Sequence, residues 1–307
     1  MHKKIGIKIA FSIIWLISKL PLSVMQFIGN MLGIIGFYLV KGRREVGLKN
    51  LSLCFPEMSD SEKNKIIYEH FKYLVNSALQ YGLLFYGSPQ QIKKLVKLKN
   101  FEYVMEYYEK RPIILLCPHF VGLDMAASRM TLEIVGYSIY SQQKNSLISE
   151  KLTDARLRFI KDKGGEVFSR KEGLRPIIKR LRDTKRVFYY LPDQDFGERD
   201  SLYVPFFAHP TCATVNVLPK LVQLTDALVI SVFVYWQNGE YIVEFSKPWE
   251  NYPSGDLRQD IIRMNQVIEE MVLRAKPQYF WLHKRFKSQP GVERGSIYRK
   301  PAPPVGE

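Results

Sequence analysis

The chain predicts an α/β fold, a mixed, mostly parallel sheet flanked by helices, preceded by an N-terminal membrane-associated helical segment. Three observations carry that reading. From Pro112 onward, short apolar runs alternate with longer amphipathic ones, as strand–helix–strand units do. Gln237-Asn238-Gly239-Glu240 lies between two apolar runs and signals a tight hairpin, so one strand pair is antiparallel. The first 40 residues hold the longest apolar runs of the chain.

Taken in order, Ile9 to Ile17 is apolar and stops at Lys19 and Pro21, and Leu22 to Val40 is a second run with Gln26 and Asn30 as its polar members. No small-residue cleavage site follows, so this is not a removable secretory signal. Lys3, Lys4 and Lys8 flank the pair on one side, and Lys41, Arg43 and Arg44 on the other. Charge on both sides leaves the positive-inside rule undecided; helices lying in the interface would keep both flanks cytoplasmic, and two core helices are the alternative. Lys41 to Leu53 reads as a basic connector. Ser59-Asp60-Ser61-Glu62 opens a helix that runs to about Phe85, and Ser88-Pro89 opens another carrying Lys93, Lys94, Lys97 and Lys99. Strands are expected at 112–117, 136–141, 166–168, 186–191, 228–235 and 241–246, and helices at 122–134, 147–163, 171–183, 213–225 and 256–275. The organisation is therefore residues 1–40 as membrane anchor, 41–298 as one domain, and 299–307, with three prolines, as a disordered tail.

The chain has 307 residues, 46% of them apolar, and a net charge of +15. That balance points to anionic partners, meaning nucleic acid, an anionic membrane or an acidic carrier or substrate. No zinc finger, P-loop or RNA-binding aromatic block favours nucleic acid. Cys54, Cys117 and Cys212 are odd in number and widely spaced, which fits a reducing compartment and no metal pattern.

The chemistry concentrates in His119-Phe120-Val121-Gly122-Leu123-Asp124. It follows an apolar strand and opens a helix, which puts an imidazole at the carboxyl edge of the sheet, where α/β proteins hold ligands. Asp124, about one helical turn on, is expected to hold one ring nitrogen of His119 and leave the other to take a proton from a hydroxyl. Gly122 lets backbone approach closely. Arg170 ends a short strand with a fork suited to phosphate or carboxylate. Asp193 and Asp195 end another strand and suit a divalent metal or sugar hydroxyls. His283, among Lys284, Arg285 and Lys287 and after Phe280 and Trp281, reads as an interfacial cluster, with packing of the C-terminal segment as the alternative. Ser128 lacks a nucleophile elbow and Cys117 lies inside an apolar strand, so neither is read as a nucleophile.

His119 to Asp124, then Gly165-Glu166-Val167-Phe168-Ser169-Arg170, Leu191-Pro192-Asp193-Gln194-Asp195-Phe196-Gly197, Val204-Pro205-Phe206-Phe207 and finally Pro277 to Lys287 form an ordered set. In that order they resemble the motifs of the lipid A biosynthesis lauroyl/myristoyl acyltransferases, within the lysophospholipid acyltransferase superfamily, from the N-terminus to about Tyr298. The resemblance implies a glycerolipid acyltransferase-like fold. It also implies transfer of a fatty acyl chain from acyl-[acyl carrier protein] to a 3-hydroxyacyl hydroxyl of a Kdo-substituted lipid A precursor. The inner membrane would be the location, with the catalytic domain on the cytoplasmic side, and neither cofactor nor metal would be needed. His119 and Asp124 would be catalytic. Phe120, Gly122, Arg170, Asp193, Gln194 and Asp195 would bind substrate, and amides near Gly122 or the Arg170 side chain would face the oxyanion. Where many relatives carry Glu, this chain has Asp124. Rival readings are an acyltransferase of another glycerolipid or glycolipid, opposed by Pro-Asp-Gln-Asp in the third block, and a non-enzymatic membrane-surface protein. Acyl chain length, acyl position and oligomeric state are not encoded legibly.

Overall fold

A computed structural model describes residues 11–140 and 145–299. A short helix over residues 11–17 leads into α1 (Leu22–Leu39), α2 (Lys41–Cys54), α3 (Asp60–Leu79), α4 (Tyr81–Tyr86) and α5 (Pro89–Leu95). The remainder runs β1 (Val96–Lys99), α6 (Glu102–Met105), β2 (Ile113–Leu116), α7 (Leu123–Met130), β3 (Gly136–Tyr140), α8 (Ser146–Leu157), β4 (Glu166–Ser169) and α9 (Arg175–Thr184). It continues through β5 (Val187–Tyr190), β6 (Ser201–Phe206), β7 (His209–Val215), α10 (Leu218–Thr225), β8 (Leu228–Gln237), β9 (Glu240–Phe245) and α11 (Leu257–Arg274). Residues 1–10, with the basic flank and the start of the first apolar run, and the tail beyond Arg299 lie outside the described residues.

Seven strands form one sheet in the order β1-β9-β8-β2-β5-β3-β4. Every neighbouring pair is parallel except β8–β9, the expected hairpin, whose Asn238 and Gly239 both take positive φ, at 50° and 87°. β2 and β5 are buried along their whole length, as parallel strands covered on both faces must be. Their register sets Leu116 beside Tyr190, and the Cys117 N–H reaches the Tyr190 carbonyl at 2.8 Å. Two adjacent strands therefore leave the same sheet edge in step. Three residues on stand His119 and Asp193.

Four elements differ from the sequence reading. The basic connector is helix α2; its buried stripe contains Gly47 and Asn50, which hide it from a hydrophobicity count. Asn50 is buried and donates to the carbonyls of Trp281 and His283 at 2.6 and 2.7 Å. The helix expected to reach Phe85 breaks at Gln80, whose side chain accepts from the Tyr241 hydroxyl, and Gly82 packs under the Ile14 carbonyl. Lys97 and Lys99 lie on β1, whose Val96 and Leu98 alternate with them. Residues 209–215 pair with β6 in a separate hairpin, so the helix expected from 213 begins at Leu218.

α1 docks lengthwise on α3. Met25, Gly29, Gly33 and Phe37 form its buried stripe. A Cβ at Gly33 would sit 2.6 Å from the Lys72 Cα, so only glycine permits this approach. The opposite face is apolar and bare, with Phe27 67% and Leu39 75% exposed.

Candidate active site

His119 sits in the link between β2 and α7. Its ring Nδ1 lies 2.6 Å from Asp193 Oδ1, and its own backbone N–H donates to Asp193 Oδ2 at 2.8 Å. One carboxylate thus fixes both the backbone and the ring of one residue. Asp193 is buried while the His119 side chain keeps 24% of its exposure. Burial alone would raise the Asp193 pKa. The charge of His119, its two hydrogen bonds and the nearby Arg285 outweigh that and hold the carboxyl below its ordinary value. An ionised Asp193 can only accept, so Nδ1 carries a proton, and in the neutral ring that tautomer leaves the lone pair on Nε2. Among the described residues nothing hydrogen-bonds to Nε2.

Asp124 does not hold His119 in this structure, contrary to the expectation from spacing. Its carboxylate accepts from the Tyr81 hydroxyl of α4 and from Arg156 of α8, at 3.2 and 3.4 Å for the guanidinium. The Asp124 charge, then burial, then the hydrogen bond push the Tyr81 hydroxyl well above its ordinary range, so it stays a donor. The reason for the missed pairing is local. His119 precedes the helix, Phe120 makes an isolated bridge to Tyr279, and Gly122 caps α7 with φ +83°. A helical i-to-i+5 estimate does not apply to a residue that lies outside the helix, in a turn closed by the Phe120 N–H to Pro118 carbonyl bond.

Gly122 takes a positive φ of 83° beside a packed side chain. A Cβ there would stand 2.2 Å from the Tyr241 ring. The oxyanion donors expected among nearby amides are already engaged. Phe120 N–H goes to Pro118, Val121 N–H to Gln278 and Gly122 N–H to Ser77, while His119 N–H goes to Asp193. Phe120 is buried edge-on to Phe233 and Tyr279, so it supports the turn from within the core.

Asp195 is buried and serves the C-terminal segment. It accepts from Ser288 N–H and hydroxyl at 2.6 and 2.9 Å and from Gly197 N–H. Its own N–H donates to His283 Nε2 at 3.3 Å. Burial, then the charges of Lys287 and Arg285, lower the His283 pKa to about 4, so that ring is neutral. Gln194 is half-buried with no side-chain hydrogen bond among the described residues. Arg170 is exposed and stacks over Phe196, its guanidinium 3.9 Å from the ring centre. Asp193 and Asp195 are thus spent on protein partners, and no group of three or more His, Cys, Asp or Glu gathers among the described residues.

The interfacial reading of 280–287 is corrected. Trp281 and Phe286 are fully buried, and the buried Arg285 donates to Ala213 carbonyl and Thr214 hydroxyl at 2.7 and 3.0 Å. The segment is core, and it closes over the His119 turn through the Phe280 N–H to His119 carbonyl bond of 2.9 Å. On the α1 side of the turn a cavity of about 220 Å³ is lined by Gln26, Asn30, Lys72, Asn76, Val121 and Tyr241. It accounts for the two polar members of the apolar run.

A family model described as bacterial lipid A biosynthesis acyltransferase matches residues 2–288. The chain belongs to that family. The lipid A biosynthesis acyltransferase of Haemophilus influenzae is 32% identical to it over 285 residues, 91% of this chain and 89% of the relative. The lipid A biosynthesis lauroyltransferase of Escherichia coli K12 is 30% identical over 92% of this chain and 91% of its own. The palmitoleoyltransferase of the same strain is 29% identical over 93% and 92%. Relatives named for different acyl groups match this family member almost equally, so family membership does not fix chain length. Sequence reasoning missed Tyr81 and Arg156; their signal, an aromatic and an arginine on separate helices, is not local.

Proposed function

We propose that this enzyme moves a fatty acyl chain from acyl-[acyl carrier protein] to a 3-hydroxyacyl hydroxyl of a Kdo-substituted lipid A precursor, with His119 as general base and Asp193 as its orienting carboxylate. The observation that carries this is the 2.6 Å bond between His119 Nδ1 and a buried, ionised Asp193, which leaves Nε2 unpaired among the described residues. As the acceptor oxygen attacks the thioester carbonyl, its proton passes to Nε2. The C–S bond breaks, the proton leaves with the thiolate as thiol, and the new ester remains on the lipid. The donor is already activated, so no covalent enzyme intermediate is required. Asp193 stabilises the imidazolium formed on the way. Asp124 supports the site by tying α7 to α4 and α8.

The enzyme works at the cytoplasmic face of the inner membrane with α1 lying in the interface. At 18 residues α1 is about 27 Å long, just short of a bilayer core. Its inner stripe is fastened to α3, whose Glu69 and Lys72 would be dragged into hydrocarbon if α1 crossed. Its outer face offers Phe27, Met31, Leu32, Ile35 and Leu39 to lipid. Full-length protein should stay on anionic vesicles through a high-salt wash, because apolar burial is not screened. Release by salt alone would refute the interfacial helix.

Mass spectrometry of lipid A from cells with and without the chain tests the activity. The expected result is loss of one acyloxyacyl group, restored by the wild-type chain and not by His119→Ala. Unchanged lipid A would refute the substrate assignment.

A further inference from the structure

Around the loop Asp195-Phe196-Gly197 positive side chains crowd together. Arg170 covers the Phe196 ring at 3.9 Å. From the other side Arg294 approaches Asp195 at 3.7 Å, donates to the Ser288 hydroxyl at 3.2 Å, and stands over Gly197. Lys287 precedes Ser288, the residue that Asp195 grips, and Lys284 reaches over the Tyr298 ring. Asp195 is a buried carboxylate in this group, occupied by three hydrogen bonds from Ser288 and Gly197 and by the Arg294 ion pair. Burial, opposed by Asp195 and reinforced by Arg294, Arg170 and Lys284, holds Lys287 below its ordinary range. Like charges brought together on one loop repel, and an anion placed among them relieves the repulsion.

The loop is continuous with Asp193, and His283, bonded to the Asp195 N–H, interacts electrostatically with both Lys287 and His119. We propose that Arg170, Lys287 and Arg294 form an anion-binding subsite beside His119 that seats a phosphate or carboxylate group of the acceptor glycolipid and so positions its hydroxyl. The proposal rests on the acyltransferase reading above and adds residues of the C-terminal segment to it. Convergence of the cations on one loop suits a compact multivalent anion; an acidic carrier protein would be met by charges spread over a wide face. The stacked Arg170 keeps its guanidinium edge available for a bidentate contact.

The test compares Lys287→Gln, Lys287→Arg and Arg294→Gln with wild type on a bisphosphorylated acceptor and on the same acceptor after enzymatic removal of its phosphates. Retention of the enzyme's melting temperature is checked first. Both Gln variants should raise the KM for the phosphorylated acceptor about tenfold, with kcat and the donor KM within about twofold, and Lys287→Arg should restore it. On the dephosphorylated acceptor all four proteins should behave alike. A raised donor KM would assign the cations to the carrier protein, and an equal loss on both acceptors would make the cluster structural; either overturns the subsite. Direct binding of the phosphorylated acceptor to micelle-dispersed enzyme, unchanged in Lys287→Gln, would overturn it also where turnover is absent. Absence of turnover in the wild type counts against the proposed reaction and leaves the binding result to decide the subsite.

Discussion

The end of β5 and the first turn of α7 each present a carboxylate to the active-site region, and the two do different work. Asp193 lies 74 residues from His119 in sequence and holds it twice. Asp124 lies five residues away and holds Tyr81 and Arg156. The difference teaches that proximity along the chain counts for less than strand register here. β2 and β5 pair so that their exits run side by side, and the third residues beyond the paired ends, His119 and Asp193, meet in a hydrogen bond. His119 lies in a turn ahead of α7 and Gly122, at positive φ, opens the helix, whose first turn sends the Asp124 side chain toward α4 and α8.

The comparison breaks most visibly in turnover. His119→Ala should cost roughly 10²–10⁴-fold or more in kcat, and Asp193→Asn a comparable factor, because an amide can hold the wrong tautomer. The double variant should be little worse than either single one, since the residues act as a unit. Additive losses in a kinetic double-mutant cycle would separate Asp193 from His119. Next in size is the turn itself. Gly122→Ala forces a side chain into φ +83° and against the Tyr241 ring, and should lower stability by about 2–5 kcal/mol by denaturant titration. Stability within about 0.5 kcal/mol of wild type would mean that the ring yields freely.

Asp124→Asn should behave unlike Asp193→Asn. It weakens the links to Tyr81 and Arg156, so about 1–3 kcal/mol of stability should go, with kcat falling less than about tenfold in the folded protein. A loss of kcat matching that of Asp193→Asn at full stability would return Asp124 to the catalytic role that its spacing implied. The last effect concerns pH. Burial lowers His70 to about 4, and burial with neighbouring cations does the same to His283, against an ordinary 6.5. Unfolded chains take up protons at these rings between about 6.5 and 4 and folded chains do not, so stability should fall through that window as pH drops. Asp193, held below its ordinary 3.8, keeps its stabilisation above that value and loses it only in stronger acid. Unfolding free energies measured from pH 7.5 down to 3.5 should therefore decline before Asp193 titrates. A flat profile between 6.5 and 4 would show that the two rings are not held neutral.

What the amino-acid order determined by itself was set by local chemistry. Apolar runs of strand length, the Asn238-Gly239 turn, the Ser59 and Ser88 helix starts and the strand-end position of His119 each follow from a few adjacent residues. The ordered blocks identified the family, and the apolar pattern of 22–40 marked a helix long and apolar enough to cross a membrane. Tertiary structure alone decided the rest. Gly47 and Asn50 make α2 look like a connector until Trp281 and His283 supply carbonyls for Asn50 to bond. Trp281 and Arg285 look interfacial until the C-terminal segment folds into the core. Which carboxylate holds His119 depends on parallel pairing between strand residues 74 apart in the chain. No window of sequence contains that pairing, because hydrogen bonds between strands join residues by register and carry no local signal.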